Sequence, residues 1–241
     1  MKPHGKRFQT DPVTGHKRPV LTMMDSALFP PLFERISKLY SNMDSAYADA
    51  AHYYAFHCKG CDRSCCEERF YHYTGAEHIF LAYGLASLEQ EVKTGIFKRA
   101  DEVMRLYQLH DASHEAGRAI CPLNLEGSCV LYECRPMICR LQGIPHFIKN
   151  PGQPRKSGPG CHVFNEKILP KNLSDFSFDH TPFYLEMAAI EIEIRNRLIY
   201  KSRYKKTVAE MLVDIKDAEN RSLEGGQLKN TPGQVLVDKT F

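Results

Sequence analysis

The sequence predicts a mainly α protein: a single helical domain with a loop-rich, cysteine-bearing metal-binding segment set into it. Three observations carry this reading. Apolar residues recur at three- and four-residue steps in several stretches, the pattern of helices that bury one face. Helix-starting residues precede these stretches: Pro30-Pro31, Thr74 with Glu77, Thr181-Pro182 and Thr207 with Glu210. Between Gly117 and Leu169 the periodicity gives way to Cys, Pro and Gly with short apolar pieces.

Taken in order, residues 1–28 mix Pro, Gly, Lys and His without period and read as a mobile arm. From Pro30 the stripe Leu32, Ile36, Leu39, Met43, Ala46, Ala50 and Tyr54 predicts a long amphipathic helix that ends just before the first cysteines. Thr74 and Glu77 fit a capping box; Ile79, Phe80 and Tyr83 share a face of the short helix that follows, and Gly84 is its expected end. A longer helix from about Leu88 carries Val92, Ile96, Ala100, Val103, Tyr107, His110 and His114, with Gly117 as its stop. The stretch from Lys149 to Gly160, KNPGQPRKSGPG, is too rich in Pro and Gly to be expected regular. Thr181-Pro182 then starts a helix striped Phe183, Met187, Ile190, Ile194 and Leu198, with Glu191–Arg195 and Glu193–Arg197 as solvent-facing pairs one turn apart. Thr207 and Glu210 cap a last helix that packs Met211, Leu212 and Ile215. The expected division is an arm over 1–28, a helical metal-binding domain over 29–220 with its cysteine core at 56–164, and a polar tail over 221–241 in which Val235–Val237 can dock as a strand.

A chain of 241 residues can build a core without disulfides. Hydrophobic residues at 43% and charged residues at 25% exclude a largely disordered chain. No run approaches the ~18 apolar residues of a membrane span, so membrane insertion is not expected. The balance of 32 basic and 29 acidic side chains leaves +3, which argues for neither nucleic acid nor an anionic membrane. The basic run Arg195, Arg197, Lys201, Arg203, Lys205 and Lys206 reads as a solvated helix face rather than a nucleic-acid site. The first twenty residues lack the apolar core of a secretory signal, so a cytoplasmic protein with reduced thiols is expected.

Nine cysteines and no tryptophan are the unusual entries in the composition, and the cysteines are clustered. The first cluster is CKGCDRSCC: Cys58, Cys61, Cys65 and Cys66. A C-x2-C pair lets one tight turn aim two sulfurs at one ion. Adjacent Cys65 and Cys66 point apart unless the backbone bends, so one of them serves a second site or packs. The second cluster, CPLNLEGSCVLYECRPMICR, holds Cys121, Cys129, Cys134 and Cys139, and Cys161 follows. No second C-x2-C completes a zinc ribbon, whereas iron–sulfur clusters accept thiolates from dispersed positions. Lys59, Arg63, Arg69, Arg135 and Arg140 are close enough in sequence to offset the thiolate charge. Buried, inert thiols are the alternative.

The pattern CxxCxxxCC, then C…C with Leu131-Tyr132…Arg135-Pro136…Cys139-Arg140 and a late Gly-Cys, resembles the bacterial YkgJ-type, or CxxCxxCC, cysteine-cluster family of zinc- or iron-chelating domains. The resemblance spans Phe56 to Phe164. It implies eight metal-ligating cysteines, Cys58, Cys61, Cys65, Cys66, Cys121, Cys129, Cys139 and Cys161, with Cys134 as the spare. Three residues, Asp62 to Ser64, stand where many members have two, and Cys65 and Cys66 remain alternatives as ligand. A related cysteine pattern occurs in flagellin lysine N-methylases.

Around the clusters, His110 and His114 stand four apart beside Cys121, while His72 and His146 are near each cluster in sequence; each is a candidate ligand or supporting group, against the alternative of an ordinary core or surface histidine. Proline after Arg135 disfavours helix there, so the chain can turn and present Cys139; an ordinary turn is the equal alternative. No dinucleotide fingerprint, P-loop, G-x-S-x-G or radical-SAM C-x3-C-x2-C occurs. The expected function is a cysteine-ligated metal protein, redox-active or metal-sensing and working with a redox or other protein partner. Its expected cofactor is one or two iron–sulfur clusters of the 4Fe–4S type, with Zn2+ the alternative. The second class is a metal-dependent enzyme, protein-modifying by analogy with the flagellin methylases.

Overall fold

The structure, a computed structural model, describes residues 8–10, 17–19, 29–57, 65–113, 118–150, 152–171, 176, 178–198 and 203–224. The chain is mainly α, as its periodicity requires. Helix α1 (Phe29–Tyr53) turns Leu32, Ile36, Leu39, Tyr40, Met43 and Ala50 inward. Each such fully buried aliphatic contributes about 1.5–3 kcal/mol. Beyond α1, Ala55 takes a left-handed φ of 47°, and the Phe56 N–H reaches back to the Ala51 carbonyl at 2.8 Å. That reversal drops Phe56 into the core against Phe164, ring centroids 5.2 Å apart.

Helices α2 (Gly75–Ala86) and α3 (Gln90–Ser113) follow. Thr74 caps α2 by accepting from the Glu77 N–H at 3.3 Å. The helix does not end at the expected Gly84; it runs one half-turn further, and Gly84 serves a close approach instead. A Cβ there would stand 2.6 Å from Cys134 Sγ. Nor does α2 have a single apolar face: it is buried almost all round while Tyr83 is 49% exposed, so its sequence carries no stripe to read. Helix α3 buries Ile96, Phe97, Ala100, Val103 and Tyr107 and packs along α7 (Val208–Glu224). Val92, expected on that stripe, lies near the exposed start of α3 at 36% exposure.

The segment between α3 and α6 (Thr181–Leu198) holds short elements. A two-stranded hairpin pairs β3 (Asn124–Leu125) with β4 (Ser128–Cys129), numbered after the antiparallel pair β1 (Phe8–Thr10) and β2 (Lys17–Pro19). The latter pair lies within the expected arm, the remainder of which is outside the described residues. Helix α4 (Met137–Leu141) follows, then β5 (His146–Ile148) paired with β6 (Lys156–Gly158), then α5 (His162–Lys167). Strand β6 corrects the expectation that the Pro- and Gly-rich stretch is irregular: backbone pairing to β5 supplies the order that side-chain periodicity lacks.

Helix α6 buries Met187, Ile190, Ile194 and Leu198, and also Glu191. Glu191 was expected to face solvent with Arg195; the pair forms at 2.7 Å, but the carboxylate also accepts the Ala76 N–H at 3.0 Å. The open N-terminus of α2 lies against it there, a neighbour no helical spacing reveals. In α7 the capping box closes both ways: Glu210 N–H to Thr207 Oγ1 at 3.2 Å and Thr207 N–H to the Glu210 carboxylate at 2.6 Å. The helix continues four residues into the expected tail, through Glu224; Val235–Val237 lie outside the described residues. One core joins α1, α2, α6, α7, the front of α3 and the cysteine segment. Among the described residues no helix is long and apolar enough to cross a membrane.

Candidate metal centre

Four short backbone devices bring cysteines to one place. The first is a tight turn at Cys65–Glu67, whose Cys66 carbonyl accepts the Cys121 N–H at 2.7 Å, tying the two clusters together. Second, the Cys121 carbonyl accepts the Asn124 N–H at 2.9 Å and so starts the β3–β4 hairpin. That hairpin turns through Glu126 and Gly127 at φ 50° and 85°, a turn with two left-handed residues that suits a two-residue connection. Third, β4 ends on Cys129. Fourth, Arg135 and Pro136 are extended, at ψ 139° and 164°, and α4 begins immediately after them and carries Cys139.

The last device is locked by charge. Arg140 is buried, 2% exposed. Its Nε donates to the Arg135 carbonyl at 3.0 Å and its Nη2 to the Tyr132 and Glu133 carbonyls at 3.1 and 2.5 Å. Its Nη1 bonds Asp44 of α1, and its guanidinium lies 4.2 Å over the Tyr40 ring. Arg135 shares Asp44 at 3.4 Å and stacks on Tyr132 at 3.8 Å.

Cys65, Cys66, Cys121, Cys129 and Cys139 all line one cavity of about 90 Å3, with Arg135, His72 and Tyr107 on its walls. All seven described cysteines are thiols, none in a disulfide. Burial pushes the Cys121 thiol up to about 12, and neighbouring Cys66 and Cys129 add to it. Burial likewise raises Cys139, where Cys121, Cys129 and Cys66 are the nearest like groups and Arg135 the opposing cation. Burial raises Cys129 too, against the pull of Arg135 and Arg140. Cys66, Cys121, Cys129 and Cys139 thus sense one another as a set. At neutral pH Cys121, Cys129 and Cys139 hold their protons until something more strongly attractive displaces them.

Among the described residues, no three His, Cys, Asp or Glu side chains form a group that could hold a metal ion as they stand. The donors surround a space instead of meeting at a point. Their chemistry still fits a thiophilic metal: soft sulfur ligands, a cation on the wall, and a buried imidazole nitrogen, His72 Nε2, with no hydrogen-bond partner among the described residues.

No family model, curated protein or solved structure matches the chain.

The other expected residues are placed as follows. Cys58, Cys61 and His114, with Lys59 and Arg63, lie outside the described residues. Cys161 does not line the cavity; it caps α5, its Sγ accepting the Phe164 N–H at 3.4 Å. Cys134 also stays away from the cavity, buried beneath Gly84. Arg69 is drawn off to Asp111 at 2.6 Å and lies 4.3 Å over the Tyr107 ring. His110 is half-buried near the end of α3 and is not on the cavity wall. His146 stacks flat on His180, centroids 4.0 Å apart, also away from the thiols. A group the sequence does not single out as functional is Glu77. Its Oε1 accepts the Met137 N–H at 3.0 Å, its Oε2 accepts from the Thr74 hydroxyl at 2.7 Å, and His72 Nδ1 faces it at 3.8 Å. Burial pushes its carboxyl up, but His72, Thr74 and Met137 outweigh that and hold it below the usual range.

Proposed function

We propose that this chain is a cysteine-ligated metal protein whose centre is held by the thiolates of Cys66, Cys121, Cys129 and Cys139. The observation that carries the reading is their convergence on one cavity from four separate pieces of chain, with Arg135 on its wall. Four soft donors and a neighbouring cation match what a thiolate-bound metal needs, because the guanidinium offsets the negative charge that deprotonated sulfur brings. Cys66 is the ligand of its adjacent pair: it interacts with the other three, while Cys65 is exposed. The likeness to YkgJ-type domains belongs to the same proposal, since its eight cysteines include these four.

An iron–sulfur cluster is the preferred cofactor and Zn2+ the runner-up. Zinc holds each sulfur at about 2.3 Å, so its four ligands crowd to a point. Thiols spaced around a cavity of about 90 Å3 suit a core of several atoms better. When bound, such a group supplies electron transfer; the chain's part is to orient the thiolates, hold Arg135 beside them and screen the site with Tyr107 and Leu123. The enzyme reading is favoured by a second cavity of about 380 Å3 beyond His72, lined by Tyr71, Tyr73, Tyr184 and Met187, which has room for a small substrate.

The test is elemental analysis and absorption spectroscopy of protein purified without oxygen. Iron with acid-labile sulfide and a brown colour that bleaches in air is the expected result. Colourless protein with stoichiometric zinc, from iron-replete cells, overturns the iron–sulfur assignment and keeps the thiolate one. Folded, metal-free protein overturns both.

A further inference from the structure

His72 has the features of a ligand held in reserve. Its backbone is pinned by a two-way bridge to Lys206, N–H to carbonyl at 2.8 Å and 3.0 Å, so the point from which the ring projects is fixed. The residue is 3% exposed, and Nε2 is buried with no hydrogen-bond partner among the described residues. A lone imidazole nitrogen in that position forfeits the hydrogen bond it had in water, a loss that a bound ligand would make good. His72 lines both the thiol cavity and the larger one, whereas Glu77 lines only the larger. The edge carrying Nδ1 is turned to Glu77, so Nε2 is the ring nitrogen left for another partner.

The charged Glu77 also selects the tautomer. A carboxylate beside Nδ1 favours the proton there, and in a neutral ring the lone pair then sits on Nε2. Glu77 itself is fixed by the Thr74 hydroxyl and by the N–H of Met137, two residues before Cys139. One carboxylate therefore sets both the imidazole and the start of the helix that presents a thiol. A carboxylate–histidine pair is the arrangement that orients metal-bound histidines, and His72 lines the cavity that the cysteines line.

We propose that His72 Nε2 is a ligand of the same centre, oriented by Glu77, so that the donor set is mixed imidazole and thiolate. This rests on the thiolate reading above. With Cys66, Cys121, Cys129 and Cys139 it makes five donors, one more than a tetrahedral Zn2+ accepts, and a centre that uses all of them holds more than one metal atom.

The test uses Co2+ alone, titrated without oxygen into the metal-free full chain, because its visible bands report donor type whichever metal is native. Wild-type protein is expected to give sulfur-to-cobalt charge transfer together with d–d bands at the shorter wavelengths that a nitrogen donor produces. His72→Ala moves those bands to longer wavelength and weakens binding at least about 10-fold, and Glu77→Gln weakens it about 10- to 100-fold. His72→Cys moves the bands the same way while charge transfer grows by one thiolate; it restores affinity and so answers for any misfolding of the alanine variant. Bands and affinity unchanged in both His72 variants overturn the inference and leave the thiolate centre standing. Cobalt binding unchanged in Cys66→Ser and Cys121→Ser overturns the thiolate centre, and the inference with it.

Discussion

Cys134 and Gly84 occupy a space that holds only one side chain. With Cys134 Sγ 2.6 Å and Cβ 2.9 Å from where a Gly84 Cβ would stand, Gly84→Ala forces two short, stiff groups apart. It is expected to cost about 1–3 kcal/mol, read as a lower urea midpoint at unchanged slope. Cys134→Ala in that background restores only part of the loss, because the Cβ contact survives; full recovery would mean that the sulfur alone was the obstacle. The same packing keeps Cys134 off the cavity wall and so apart from the proposed ligands. Cys134→Ser is expected to keep the metal content of the wild type, while Cys121→Ser and Cys139→Ser lose metal and melt earlier, since ligand formation and stability are coupled. Equal loss in all three would place Cys134 among the ligands. The five cavity cysteines are visible in the sequence as cysteines; that Cys161 caps a helix is not, because a cap is a matter of which N–H the sulfur meets.

Along the helices, the sequence is most legible where one face is buried and the ends carry their own signals. Helices α1, α3, α6 and α7 are readable from their stripes, and the Thr207–Glu210 box marks the start of α7 to the residue. Helix α2 is the contrary case: enclosed on nearly every side, it has no polar face to set off an apolar one. Its length depends on what Gly84 admits, and its end cannot be read from the glycine itself. The seam of α2 with α7 carries a titratable group, His78. Burial, with Lys206 adding repulsion, holds its imidazole down at about 3. His180, just ahead of α6, is held down to about 3 by burial and by the adjoining His146. An unfolded histidine takes its proton near pH 6.5, and the folded chain refuses it until about pH 3, so over that interval the unfolded state binds more protons. Stability therefore falls as pH drops below about 6.5, by up to about 1.4 kcal/mol per pH unit for each histidine. Urea unfolding at pH 5, 6 and 7 is expected to show this decline, and His78→Phe to remove about one proton's share of the slope. An unchanged slope in that variant would assign the decline elsewhere.

At the scale of the whole molecule, the core that joins α1, α2, α6 and α7 extends well beyond the cysteine segment and buries residues from Leu32 to Ile215. If the proposed centre is loaded, removing its metal is therefore expected to leave the helical content in place while lowering Tm. Metal held at a thousand times its Kd adds about 4 kcal/mol, which for a chain of this size is on the order of 10 °C. Collapse of the far-ultraviolet signal on chelation would instead make the centre the fold's chief support. Arg140 gives a reason to expect the milder outcome. Its guanidinium gathers the carbonyls of Tyr132, Glu133 and Arg135 and ties them to Asp44, so the turn that presents Cys139 takes its shape from bonds internal to the protein. On the proposed thiolate reading, an incoming metal meets this one turn already shaped, while the remaining donors still stand apart around the cavity. Cys139 then adds no delay to uptake, and any levelling-off of the rate with free metal measures the other thiols drawing in.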